Sequence, residues 1–443
     1  MNQEHFGTME PKKLFAKLAA PSLISMLFSS LYMMADGIFV GKIIGSKALA
    51  AINLVFPIIM IVFAFGDMIA SGASVKIGIK LGEKKEQEAS EIFSVALLFI
   101  FILNTIFAII SLIFAKDIIF ILIKDKELAE LAYKFAYVFI LFLPIIAPFF
   151  AIDNYLRICG KAKMSMWINI GVSVFNIILD VIFIGYLKLG IEYASLASSL
   201  SMSIGTIILI YPFITKKVVL RFTKPKIKIK EMLGIIYNGS SEFFSNISGS
   251  VMAVIMNSFL LHFGGAVGVA AYSIVMYIES LIVPMLFGMI DSVQPVISYN
   301  YGAKDNKRIM TFFKITCTVA LSISIITIII IFVFPDFLVR MFSSKSDIAV
   351  INMAKKALLL YAPSYLFTWF IMTVSGFLTG LEKATSSIVI MLVESTILPL
   401  FMTIVLTQII GVYGVFVTPT ISGAISVVVA FILWRKCYRN TLS

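Results

Sequence analysis

The length of the apolar runs is what most constrains this chain. Twelve stretches of about twenty residues or more, each with few charges, are long enough to cross a hydrocarbon core of ~30 Å as helices. They fall near 14–38, 49–75, 91–115, 131–155, 164–187, 192–214, 232–261, 266–297, 309–335, 350–378, 385–409 and 412–434. Sixty per cent of the 443 residues are hydrophobic and the mean hydropathy is +1.02, outside the range of soluble domains. The expectation is an all-α integral membrane protein of twelve transmembrane helices, with no separate soluble domain.

The opening segment "MEPKKLFAKLAAPSLISMLF" has the basic-then-apolar order of a signal peptide. It lacks a small-residue cleavage site and runs on into a full-length span, so it reads as the first helix, retained. Cys159, Cys317 and Cys437 have no CxxC spacing and read as reduced packing residues. The net charge of +12 would suggest nucleic acid in a soluble protein, but most of the Lys and Arg fall in loops on one side once twelve crossings are threaded. The densest block is "KKVVLRFTKPKIKIK", residues 216–230. This is the positive-inside pattern, so the charge reads as topology and contact with anionic lipid, with both termini cytoplasmic and no nucleic-acid partner.

The chain also repeats itself. "IIGSKALAAIN" (43–53) aligns with "FGGAVGVAAYS" (263–273) at an offset of 220, and "LGEKK" (81–85) with "YGAKD" (301–305). Gly160 and Lys163 pair with Gly380 and Lys383 at the same offset. Two copies of a six-span unit inserted with one orientation make a parallel repeat, two pseudo-symmetric six-helix bundles about an axis along the membrane normal. The expected division is an N-terminal bundle at 1–215, a basic cytoplasmic linker at 216–230 and a C-terminal bundle at 231–443. Two similar bundles facing one another suit transport by rocking better than a purely structural role.

Charge inside the spans is almost all acidic: Asp36, Asp67, Asp153, Asp180, Glu242, Glu279, Asp291 and Glu394. A carboxylate near a span centre costs ~2.5–3.5 kcal/mol on insertion scales, so it marks an ion or proton path unless paired. Asp153 stands one turn before Arg157 and reads as its partner. Counting 1.5 Å per residue from flanking charges puts Asp36, Asp180 and Ser198 at ~9–12 Å from one face, with Asn176 a turn deeper. Asn176 and Asp180, four apart, share a helix face. Together these four make an oxygen cage for a hard cation such as Na⁺, and two adjacent carboxylates let a proton substitute. Glu242, Glu279 and Glu394 come out near mid-membrane as a looser polar group in the C-terminal half. The 22 Met and 39 Phe suit an adaptable apolar pocket, though most of them pack helices or meet lipid.

Four stretches, "DGIFVGKIIGSKALAAINLVFP" (36–57), "SGASVKIGIKLGEKKEQEA" (71–89), "LRICGKAKMSMWINI" (156–170) and "QPVISYNYGAKDNKR" (294–308), resemble the multidrug and toxic compound extrusion (MATE) family, in its bacterial DinF- or MepA-like branch. The resemblance covers nearly the whole chain. It implies two lobes of six helices and an antiporter that expels organic cations and drugs in exchange for Na⁺ or H⁺, with no cofactor. It also implies a monomer in the bacterial inner membrane. In DinF-type members an Asp of helix 1, an Asn and Asp of helix 5 and a hydroxyl of helix 6 form a cation site; Asp36, Asn176, Asp180 and Ser198 fit those places. Pro21 fits the proline at which helix 1 bends. The chain departs from many members on helix 7, where "NGSSEFF" has no proline, from some branches on helix 10, where 350–378 has no carboxylate, and from many relatives at Glu394, where Arg is expected.

Two rival functions are weaker. Flippases for lipid-linked precursors usually have more spans or a cationic cavity, and no Lys or Arg lies deep in a span here. A membrane-embedded enzyme would have only His5 and His262 to work with, and neither HExxH nor GxSxG occurs; "AFGD" (64–67) misses the GxGD pattern by its first residue. Direct use of ATP is unsupported, because no GxxxxGK[ST] loop exists.

Overall fold

The computed structural model describes residues 4–224, 228–342 and 348–442. Pro225, Lys226 and Ile227 of the basic linker lie outside the described residues. Within hydrocarbon every backbone N–H and C=O must find a partner inside the chain, and helices supply one locally. Among the described residues eleven helical stretches are long and apolar enough to cross a bilayer. One of them, Ile229–Gly302, has 74 residues, or ~110 Å, more than three hydrocarbon thicknesses. It breaks at Gly265 (φ 59°, ψ −159°), a backbone conformation open to glycine. That divides it in two and brings the crossings to the expected twelve.

In chain order the crossings are α1 (Pro11–Ile44), α2 (Lys47–Gly82), α3 (Glu86–Leu122), α4 (Lys126–Ile158), α5 (Ala162–Tyr186), α6 (Ile191–Ile214), α7 (229–264), α8 (266–302), α9 (Asn306–Val333), α10 (Ile348–Gly380), α11 (Ala384–Ile410) and α12 (Tyr413–Leu442). The expected spans are all present. The helices run several residues further at most ends, because the backbone hydrogen-bond ladder continues past the apolar stretch. 

The chain packs into two compact units. The first holds residues 1–243 and 298–303, the second 244–297 and 304–443. These follow the repeat, except that the first turns of α7 and the last turns of α8 pack with the first unit. Glu242 therefore belongs to the first unit, whereas Glu279 and Glu394 belong to the second.

In the first unit, alanines at the helix contacts (Ala51, Ala73, Ala89, Ala96, Ala129, Ala132) let backbones approach, as lipid-embedded helices require. Phe93 stacks on Phe213 at 4.8 Å and meets Tyr155 edge-on. In the second, Ala271, Ala354, Ala357 and Phe416 are buried together, and Phe313 stacks on Trp434 at 3.9 Å. The large apolar residues left outside, such as Ile113, Ile121 and Ile207, suit contact with lipid rather than water.

The first unit contains two crossings with no room for a side chain. A Cβ on Gly72 would lie 1.9 Å from the carbonyl oxygen of Ile235, and one on Gly239 would lie 1.7 Å from that of Met68. Further along α2, a Cβ on Gly82 would lie 1.9 Å from Tyr299 O, and one on Gly302 2.1 Å from Ile79 O. Residues 79 and 299, like 82 and 302, differ by the repeat offset of 220. Equivalent positions of the repeat thus use the same glycine and the same carbonyl. The turns that follow also match, with Lys84 at φ 61° and Lys304 at φ 59°.

Candidate functional site

The first unit gathers the expected cage. On α5, Asn176 and Asp180 are buried one turn apart, as their i, i+4 spacing requires. With its amide nitrogen turned toward the carboxylate, Asn176 donates to Asp180 Oδ2 at 3.3 Å and accepts from Ser198 Oγ of α6 at 3.0 Å. This orientation follows from the hydrogen-bond network, since the opposite one sets acceptor against acceptor. Asp36 of α1, which packs along α5, is close enough to Asp180 for the two carboxylates to repel. The four predicted residues therefore lie together, on three helices.

Each carboxylate keeps one acceptor oxygen unused. Oδ1 of Asp36 and Oδ1 of Asp180 are both buried with no hydrogen-bond partner among the described residues. An orphaned buried carboxylate oxygen is costly, and two of them beside one amide and one hydroxyl form a hard-oxygen set suited to Na⁺ or a shared proton. Among the described residues no group of three or more His, Cys, Asp or Glu could hold a metal ion.

Two features were not read from the sequence. Tyr32, one turn before Asp36, lies within electrostatic reach of both carboxylates; its i, i+4 spacing was the available signal. Second, the helix widens to π geometry next to three of the carboxylates. Val40–Ile44 follows Asp36 by one turn, Val181–Tyr186 directly follows Asp180, and Glu394 lies inside Val393–Ile397. π turns carry an extra residue and a weakened hydrogen-bond ladder, and they recur at functional sites. Nothing in local sequence periodicity announces them.

In the second unit, Glu279 of α8 lies within electrostatic reach of Tyr361 of α10 and of Glu394 of α11. Tyr272 and Tyr365 are within electrostatic reach of Glu279. Two of the three carboxylates of the looser group are thus neighbours, among tyrosines that no sequence pattern singled out. Pro21 lies inside α1, in its first half. An apolar groove in the first unit between α2, α3 and α4, lined by Val55, Ile59, Phe114 and Phe139, holds no charged side chain and offers nothing to pair with an organic cation.

The same MatE family model matches the chain twice, over residues 21–182 and again over 243–405. The chain belongs to the MATE family. The double match also reproduces the internal repeat. The multidrug export protein MepA of Staphylococcus haemolyticus is 25% identical over 426 residues, 94% of this chain and 92% of that one. MATE crystal structures in a bent and in a straight conformation superpose with TM-scores of 0.89 and 0.90, at 24% identity, each covering 98% of this chain and 97% of the other. The chain is accordingly a multi-pass membrane protein of a multidrug efflux transporter family, and not an enzyme.

Proposed function

We propose that this MATE protein is an antiporter that exports organic cations or amphiphilic drugs in exchange for Na⁺ or H⁺ bound by Asp36, Asn176, Asp180 and Ser198. The observation that carries the reading is the pair of orphaned carboxylate oxygens on Asp36 and Asp180, buried beside Asn176 and Ser198. With both termini cytoplasmic in a bacterial inner membrane, the cage lies toward the outside. The external ion enters while the cavity faces out, and its charge offsets the repulsion between the two carboxylates. Asp36 and Asp180 then draw closer, α1 bends at Pro21 and drug leaves; the ion is released inward after the lobes rock. A proline suits that bend because it lacks the N–H that would bond the carbonyl four residues earlier.

One cation moving inward down 100 mV supplies ~2.3 kcal/mol, enough for a ~50-fold gradient of a neutral drug; a singly charged drug leaving in a one-for-one exchange cancels that term, and the ion's chemical gradient then drives its export. Glu279, Glu394 and Tyr361 form a second polar site, which we assign to the drug's positive charge or to a second proton; Glu242 stands apart from it. The transporter works as a monomer in contact with anionic lipid.

Ethidium transport in inverted vesicles, with Na⁺ and pH gradients imposed separately, tests the coupling. One gradient should drive ethidium accumulation, and Asp36→Asn or Asp180→Asn should reduce it to background with expression and melting temperature unchanged. Full transport by either variant would remove the cage from the mechanism. Movement of lipid-linked sugars with no ion-dependent drug flux would favour a flippase.

A further inference from the structure

A second buried polar cluster in the first unit stands apart from the cage. Asp153 and Arg157, near the end of α4, are both about 5% exposed and form an ion pair with Nη2 2.6 Å from Oδ2. The guanidinium uses all three of its nitrogens on different partners. Nε donates to Ser165 Oγ of α5 at 3.2 Å, and Nη1 donates to Ser22 Oγ of α1 at 2.9 Å. Asp153 Oδ1 accepts in turn from Ser165 Oγ at 2.5 Å and from Asn169 Nδ2 at 2.9 Å. A planar fork holding three groups at fixed angles is a task for arginine; lysine, a point donor, cannot do it.

Ser22 directly follows Pro21. The proline leaves the Lys17 carbonyl without its helical donor, so the weakest point of α1 lies just before the residue that Arg157 holds. From Ser22 to Asp36 is fourteen residues, ~21 Å of helix. Along that length α1 presents Ser22, Ser25, Ser29, Tyr32 and Asp36 at spacings of three and four. The facing α5 presents Ser165, Asn169, Ser173, Asn176 and Asp180 in the same way. One stripe on each helix thus joins this cluster to the carboxylates at the other end.

We infer that Arg157, oriented by Asp153, is a positioning residue for transport: by holding Ser22 it fixes the fulcrum about which the outer part of α1 tilts. With the helix free to give at Pro21 and pinned at Ser22, displacement of Asp36 becomes rotation about one point. Without the pin, part of the same displacement is lost as sliding of α1 along α5. The inference rests on the coupling role proposed for Asp36 and Asp180.

The test uses double electron–electron resonance on the full chain in nanodiscs, with Cys159→Ala, Cys317→Ala and Cys437→Ala removing the native thiols. Labels at Ile24→Cys and Trp167→Cys, both exposed, report the fulcrum. Labels at Lys42→Cys and Lys188→Cys report the far ends of α1 and α5. Each pair is read with and without Na⁺, and at acid and alkaline pH. The far pair should shift with the coupling ion while the fulcrum pair keeps one narrow distribution.

Ser22→Ala removes a hydrogen bond to a charged group, so the population of a displaced fulcrum should rise about tenfold or more. Drug transported per coupling ion should fall with it, while equilibrium ethidium binding is retained. Ser22→Thr, which keeps the hydroxyl, should restore both, and Ser25→Ala, buried on the same face, should change neither. Arg157→Lys should behave like Ser22→Ala; if it fails to fold, the Ser22 series decides. A fulcrum distance unaffected by Ser22→Ala, or one that moves with the ion in the unsubstituted chain, would overturn the inference. A far pair unmoved by either ion, with the fulcrum still loosened by Ser22→Ala, would sink the coupling role of Asp36 and Asp180 instead and keep the clamp.

Discussion

Ser198 shows how much a single hydroxyl can matter at such a site. It bonds the Asn176 amide oxygen at 3.0 Å, beside the Ser198 backbone N–H that donates to the same oxygen at 3.1 Å, and the amide nitrogen faces Asp180. A buried neutral hydrogen bond contributes ~0.5–1.5 kcal/mol. Ser198→Ala should therefore raise the coupling-ion concentration for half-maximal efflux ~2–12-fold. Ser198→Thr should leave it near the original value, since the hydroxyl and its reach are preserved. Vesicle transport titrated with the ion that proves to drive it gives the number. A Ser198→Ala titration identical to the parent would take Ser198 out of the cage. Asp153 and Arg157 are a contrasting case, because their charges satisfy one another and the surrounding hydroxyls. A buried pair so completely bonded contributes geometry more than net stability.

At the scale of helices, the decisive contacts are those where backbone meets backbone. Gly72 and Gly239 each face a carbonyl that a methyl group would strike. Gly72→Ala or Gly239→Ala should therefore cost at least the ~1–3 kcal/mol typical of overpacking, read as a lowered melting temperature in detergent. Gly171→Ala on α5 is the control, because nothing lies within 4 Å of the methyl it would add and alanine favours helix over glycine. Equal melting temperatures for Gly239→Ala and Gly171→Ala would show that α2 and α7 are not packed as described. The π turns beside Asp36, Asp180 and Glu394 belong to this scale too. They place each of these three carboxylates where the helix is least regular.

For the molecule as a whole, the orientation proposed above rests on where the basic residues fall. Lys217 lies after α6, in the block read as cytoplasmic, and Lys188 lies between α5 and α6 on the opposite face; both are exposed. In intact cells a membrane-impermeant maleimide should modify Lys188→Cys and leave Lys217→Cys untouched until the membrane is permeabilised. The native cysteines are buried or partly so, which keeps the background low. The reverse pattern would invert the topology and place the cage toward the cytoplasm.

The sequence by itself determined the crossings, their order and the repeat, because each is written locally. Hydrocarbon solvates no backbone, so twenty apolar residues must be helical wherever they are, and a duplicated unit keeps its offset. Asn176 and Asp180 were legible as one face because four residues make one turn, and Asp153 and Arg157 as a pair for the same reason. Only the tertiary structure decided what these pairs face. That Asn176 meets Ser198, that Tyr32 stands by both carboxylates, that Arg157 reaches Ser22 135 residues away in sequence, and that Glu279 and Glu394 are neighbours while Glu242 lies in the other unit all depend on how helices rotate about their axes. That rotation is set by close packing at small residues such as Gly72 and Gly239, a property of two surfaces in contact that no single stretch of sequence contains.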